Sequence, residues 1–162
     1  MARGTRKHLF LIHGKDSTLS RDAEGFLQSL GVTPIRLAEN SEQTVVDRFE
    51  HYASNAYAVI LLSATQGSQI PSANHLFQLG FFVGKLGRRY VTAIHRDRLE
   101  LPSELQGVLC VPYDEIGIWK FALVRDLVAA GFAVESKLAV YRPKRPEQYA
   151  TVRTLVRSSG EG

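Results

Sequence analysis

AYAVILLS, Ala56 to Ser63, is the stretch whose reading decides the fold. Its core is apolar, carries no charge and is β-branched at Val59 and Ile60, so leaving either face in water would strand apolar surface. It therefore predicts a strand covered on both sides, as in the middle of a parallel sheet. Upstream, HLFLI (residues 8–12) and TPIRLA (residues 33–38) predict the first and second strands. Between them Leu19, Ala23, Phe26, Leu27 and Leu30 recur at helical spacing until Gly31, which suits the C′ position that ends a helix. Val45, Val46, Phe49, Tyr52 and Ala53 share one face of a second helix.

Downstream, residues 64–72 hold Gly67 and Pro71 and predict a loop, after which ANHLFQLGFFVGKLG (residues 73–87) has the length of a helix that stops at Gly87. Gly80 and Gly84 inside it each lower helix propensity by about 1 kcal/mol relative to alanine, so a neighbour packed closely on them is expected. YVTAIH (residues 90–95) and VLCVP (residues 108–112) predict strands four and five, and a last helix over residues 119–130 stops at Gly131. Apolar strands alternating with amphipathic helices form βαβ units. The expected fold is α/β: a flavodoxin-like, five-stranded, mostly parallel sheet with helices on both faces.

The 162 residues, 44% of them apolar, suffice for one hydrophobic core and not for two full domains with a linker. Residues 1–135 are expected to form that domain. Residues 136–162 are expected to form a basic, linker-like tail, because YRPKRPEQY (residues 141–149) is rich in proline and basic side chains. No window approaches the ~18 consecutive apolar residues of a membrane span. Cys110 is the lone cysteine, has no partner for an internal disulfide, and reads as a small buried hydrophobe. A cytoplasmic location without membrane contact is expected. The net charge of +4 raises nucleic acid as a partner, yet much of the excess gathers at the ends, in Arg3, Arg6 and Lys7 and in Arg142, Lys144, Arg145, Arg153 and Arg157. That is the pattern of solvated termini, and nucleic acid is not expected. His8, His13, His51, His75 and His95 show no i, i+4 pairing among themselves, so no metal site is expected.

Ligands on open parallel sheets bind outside the carboxyl ends of the strands. This nominates HGKDST (residues 13–18), AENSEQT (residues 38–44) and SATQGSQ (residues 63–69). The first sets Gly14 beside Lys15, Asp16, Ser17 and Thr18 at a helix N-terminus, where free N–H groups and the helix dipole favour phosphate. Asp16 or Ser17 acting only as a helix cap explains the same residues. Neither the P-loop pattern GxxxxGK[ST] nor the dinucleotide fingerprint GxGxxG is present. A phosphate-accepting receiver domain would need an aspartate where Ser63 stands. Trp119 and Phe132 are expected in the core, Phe77, Phe81 and Phe82 to pack their helix, and Tyr113 and Asp114 either to face a ligand or to form a turn.

Six segments in order, LFLIHGKD, AENSEQTVVDRFEHY, AYAVILLS, ANHLFQLGFFVGKLGRRYV, LPSELQGVLCVPYD and WKFALVRDLVAAGF, resemble the bacterial TIR-like family over roughly residues 7–132. The resemblance implies a domain that cleaves the bond between nicotinamide and ribose in NAD+, with NAD+ as substrate and no cofactor. It implies an effector of antiphage defence, joined to a sensor of a nucleotide second messenger and activated by self-association into oligomers or filaments. The loop matching the one that completes a neighbour's site is Asn40, Ser41, Glu42, Gln43 and Thr44. His13, Gly14, Lys15, Asp16, Ser17, Ser63 and Asn74 would contact substrate.

In such proteins a helix of the form N-x-x-x-E-L-G-Y-F-x-G carries the catalytic glutamate. Here Asn74 and LGFFVG match, but the glutamate position holds Gln78. A carboxylate offsets the positive charge that develops on ribose as the glycosidic bond breaks, whereas an amide of the same shape binds hydroxyls without charge. The resemblance thus implies an NAD+ glycohydrolase impaired at Gln78, through an engineered substitution or as a natural member that binds without turnover. The alternative is a non-catalytic module that binds nucleotide or self-associates.

Overall fold

The computed structural model describes residues 8–14, 16–38, 44–50, 55–96, 98–105 and 107–135. Five strands, β1 (His8–His13), β2 (Ile35–Ala38), β3 (Ala56–Leu62), β4 (Val91–His95) and β5 (Leu109–Pro112), form one sheet in the order β2-β1-β3-β4-β5. Every pairing is parallel. All seven residues of β3 are buried, as its uncharged sequence demands. β3 pairs with β1 from His8↔Ala56 to Ile12↔Ile60 and with β4 from Ala58↔Val91 to Leu62↔His95. The side-chain period of two then sorts each strand between two cores.

Leu9 and Leu11 of β1 and Tyr57, Val59 and Leu61 of β3 meet α1 (Ser17–Ser29) and α4 (Ile118–Ala129) through Leu19, Ala23, Leu27, Trp119, Leu123 and Leu127. Phe10 and Ile12, with Ala58, Ile60 and Leu62, meet α2 (Val45–Glu50) and α3 (Ala73–Leu86) through Phe49, Leu79, Phe82 and Leu86. Phe10, Phe49 and Phe82 form an aromatic knot on this second face, with ring centroids 5.2–5.8 Å apart. Trp119 and Phe132 lie in the core as expected. Within it, the hydroxyls of Tyr57 and Thr92 share a hydrogen bond of 2.5 Å that joins β3 to β4. Burial raises the Tyr57 phenol well above its ordinary pKa, with Asp126 adding to the effect, so it stays neutral.

Local signals close the helices. Gly31 at φ +77° follows the C-cap of α1 and its N–H donates to the Gln28 carbonyl. The N-cap of α4 is Gly117, which has no side chain to offer, and Asp114 supplies the missing acceptor from three residues upstream. Its Oδ1 accepts from the amides of Gly117 and Ile118 and its Oδ2 from that of Trp119. Burial alone would raise this carboxyl, but the backbone N–H donors outweigh it and hold the group below its usual 3.8. Asp114 therefore forms a capping turn, the second of the two readings its position allowed.

Three expectations change. Several strands and helices start or stop one or two residues from the predicted positions, β2 beginning at Ile35, while Tyr52 and Ala53 of the expected second helix and residues 136–162 lie outside the described residues. Among the described residues Gly80 and Gly84 have no packed neighbour: a Cβ built on either meets nothing within 4 Å. The buried stripe of α3 runs through His75, Gln78, Leu79, Phe82 and Leu86, which turns positions 80 and 84 outward. The same geometry turns Phe77 out; it is 64% exposed and stacks only along the helix surface, on Phe81.

Replacing Phe82 by alanine is expected to destabilise the fold by about 3–5 kcal/mol, the range for emptying an aromatic site in a close-packed core, measured by urea unfolding. Asp114→Ala should cost about 1 kcal/mol at neutral pH through loss of the α4 cap. Because the folded carboxyl titrates below its unfolded value, that contribution is full above pH ~4 and fades as pH falls through the folded value. Equal losses at pH 7 and pH 3 would show that the cap is not what the variant removes.

Candidate functional site

Strand order and handedness dictate where an open parallel sheet leaves a crevice at its carboxyl end. From β1 the chain departs into α1 on one face, and from the adjacent β3 it departs into α3 on the opposite face. The ends of these neighbouring strands are thus left facing a crevice, the topological switch point of a 2-1-3-4-5 sheet.

Gly14 and Ser63 stand at its two sides, and the first turns of α3 close its base. Gly14 does not have a positive φ, so its glycine answers to space rather than to backbone conformation. A Cβ there would lie 2.6 Å from Cε1 and 2.7 Å from Nε2 of His75, and 3.5 Å from the Ser63 hydroxyl. His75 is 2% exposed, and its amide donates to Ser72 Oγ, the cap of α3. One turn further along α3, Gln78 is 7% exposed. Its Oε1 has no hydrogen-bond partner among the described residues. One turn beyond that, Phe82 packs on Phe10. Residue 78 thus sits between the aromatic knot and the crevice, at the boundary of core and cleft.

The expected site residues divide. Gly14 and Ser63 lie close together beside the His75 ring, His13 Nδ1 is 3.4 Å from the Gly14 carbonyl, and Gln78 follows one helical turn after His75 on the buried stripe of α3. Asp16 lies beside them with both carboxylate oxygens engaged. Oδ1 accepts from the amides of Thr18 and Leu19 as the cap of α1, and Oδ2 pairs with Arg96 Nε at 3.2 Å. Asn74 is exposed on α3, off the buried stripe that carries Gln78. Thr44 is exposed and caps α2 reciprocally with Asp47: its hydroxyl accepts from the Asp47 amide, and its own amide donates to Oδ2. Hydrogen bonds from Thr44 hold the Asp47 carboxyl below its ordinary value. Lys15, Asn40, Ser41, Glu42, Gln43 and the side chain of Ser17 lie outside the described residues.

Two residues at this end were not singled out from sequence. His75 shares the helical stripe of Gln78 at i−3, a spacing that could have linked them. Arg96, just past β4, reaches across to Asp16 and lies 5.0 Å over the Tyr113 ring, while the Tyr113 hydroxyl donates to Asp22. This chain of contacts ties the ends of β4 and β5 to α1, and no local sequence pattern announces it. Among the described residues no three His, Cys, Asp or Glu side chains converge as metal ligands, and no helix is long and apolar enough to cross a membrane. Burial pushes the Cys110 thiol up to about 11, which keeps it an unreactive thiol.

Glycine backbone and a serine hydroxyl thus stand at the ends of β1 and β3, with a buried imidazole and a buried amide oxygen, unpartnered among the described residues, on the adjoining stripe of α3. Residues 8–115 match the family described as CAP12/Pycsar effector protein, TIR domain. The chain is 31% identical over 150 residues to the uncharacterized protein YuaY of Escherichia coli (strain K12), covering 85% of this chain and 50% of that protein. It is 26% identical over 132 residues to Protein tirC of Dictyostelium discoideum, covering 68% of this chain and 66% of that protein. The chain thus spans about half the length of the first relative and about two-thirds of the second. With the match reaching from β1 past β5 of a parallel sheet in the order β2-β1-β3-β4-β5, the chain belongs to the TIR-domain family of CAP12/Pycsar effectors.

Proposed function

We propose that this domain binds NAD+ in the crevice between β1 and β3 and is built to cleave its nicotinamide–ribose bond, with residue 78 at the catalytic position. In that reaction the C1′–N bond breaks, its electron pair leaves with neutral nicotinamide, and water adds to the ribose cation. The observation that carries the reading is the Gln78 Oε1 atom, a buried acceptor without a partner among the described residues, next to the switch-point crevice. An unmet buried acceptor costs about 1–3 kcal/mol, and a ribose hydroxyl would remove that cost. A glutamate at the same place would add the charge that the sugar cation requires.

At 7% exposure, side chain 78 does not meet a ribose until the crevice opens. The opening is assigned to self-association, in which residues 40–44 of one copy complete the crevice of the next. In a defence effector, such a step would tie NAD+ consumption to a sensor of a nucleotide second messenger, carried on a further domain or a partner. A second reading, a module that self-associates without turnover, draws on the neutral amide at 78 and on the apolar surface of Phe77, Ile116 and Ile118, which are 64%, 89% and 61% exposed.

Nicotinamide release from NAD+ separates the two readings. Gln78→Glu is expected to raise the rate by ~10²–10³, the equivalent of ~3–4 kcal/mol of transition-state stabilisation, and more steeply at concentrations where the chain assembles. A glutamate form that stays inert in the assembled state, while both forms bind NAD+ saturably by calorimetry, would leave the binding module standing and remove the enzyme.

A further inference from the structure

The ring of His75 lies beneath the crevice that the nucleotide reading assigns to the ligand, and this inference rests on that reading. His75 is 2% exposed, one of the few buried polar side chains among the described residues, and shares the buried stripe of α3 with Gln78, Leu79, Phe82 and Leu86. The ring instead lies against Gly14, with Cε1 and Nε2 where a Cβ would intrude at 2.6–2.7 Å. Ser63 Oγ stands on the far side, 3.5 Å from the same point. Glycine at 14 and a planar ring at 75 are thus two halves of one steric arrangement. Gln78, with its unpartnered oxygen, follows one turn along the same stripe.

We propose that His75 is a positioning residue: its ring forms the floor of the crevice and fixes the height at which a ribose meets side chain 78. Gly14 is its complement, since any side chain there would displace the ring. The role lies in the shape of the ring, so phenylalanine substitutes for it and alanine does not.

The test uses the 162-residue chain with Gln78 in place, titrated calorimetrically with NAD+ and with ADP-ribose, and normalised to the folded fraction from thermal melts. His75→Ala is expected to weaken binding about tenfold, and His75→Phe to stay within about threefold of the unmodified chain. Gly14→Ala should weaken binding about as much as His75→Ala, and the double variant no more than either, because both changes remove one arrangement. A purely structural histidine would shift the melting temperature and leave the dissociation constant of the folded protein alone. That result, or losses from Gly14→Ala and His75→Ala that add, overturns the floor while the nucleotide site stands. If the unmodified chain binds neither ligand, the nucleotide reading fails and the floor fails with it. Should His75→Ala not fold, Gly14→Ala measured against His75→Phe decides alone, equal affinities of the two overturning the proposal.

Discussion

Two adjacent parallel strands send their helices to opposite faces, and the crevice proposed to hold the ligand depends on that parting. Between β1 and β3 the backbone hydrogen bonds are complete, but beyond their ends nothing compels the chain to fill the gap. A right-handed crossover carries α1 toward β2 on one side and α3 toward β4 on the other. The result is a crevice at the ends of the central strands, of which β3 is wholly buried. Small motions of loops around such an opening leave the sheet untouched, which is what a binding site on a stable scaffold requires.

α3 joins this crevice to the core. Its C-terminal half is held by ordinary packing, Phe82 and Leu86 against the strands, and its N-terminal half presents polar side chains, His75 and Gln78, on the same buried stripe. A helix that changes from apolar to polar along one face gives up some of the stability that continuous burial would supply. Such departures from consistency concentrate where a protein does its work. Anchoring at Phe82 also limits how far residue 78 can move, since the two are one turn apart on a rigid helix.

The architecture was legible from the sequence because each element carried its own signal. The uncharged run at residues 56–62 required a central strand, and the stripe from Leu19 to Leu30 with Gly31 behind it required α1. Asp16 could be read as a cap from its place before a helix, and its carboxylate does cap α1. Less legible were relations that depend on which side of a helix faces the sheet. Gly80 and Gly84 suggested close packing, yet they lie on the outer side of α3, and Phe77 turned outward with them. Least legible were contacts between segments distant in sequence: Arg96 with Asp16, Tyr113 with Asp22, and His75 over Gly14. No periodicity reports these, since they exist only once the strand order is set.

The burial of residue 78 bears on why an amide and a carboxylate would behave differently there even before any substrate arrives. A glutamate 7% exposed would meet a desolvation penalty on its charged form, which pushes its carboxyl upward. Opening the crevice would rehydrate the group and restore its charge. Access and charge would then rise together, so a carboxylate at this position is weakest when the crevice is shut and strongest when it is open. A glutamine has no such dependence, because its amide is neutral in both arrangements. In the proposed reaction, the placement of residue 78 on the buried stripe of α3 would thus tie charge at that position to opening of the crevice.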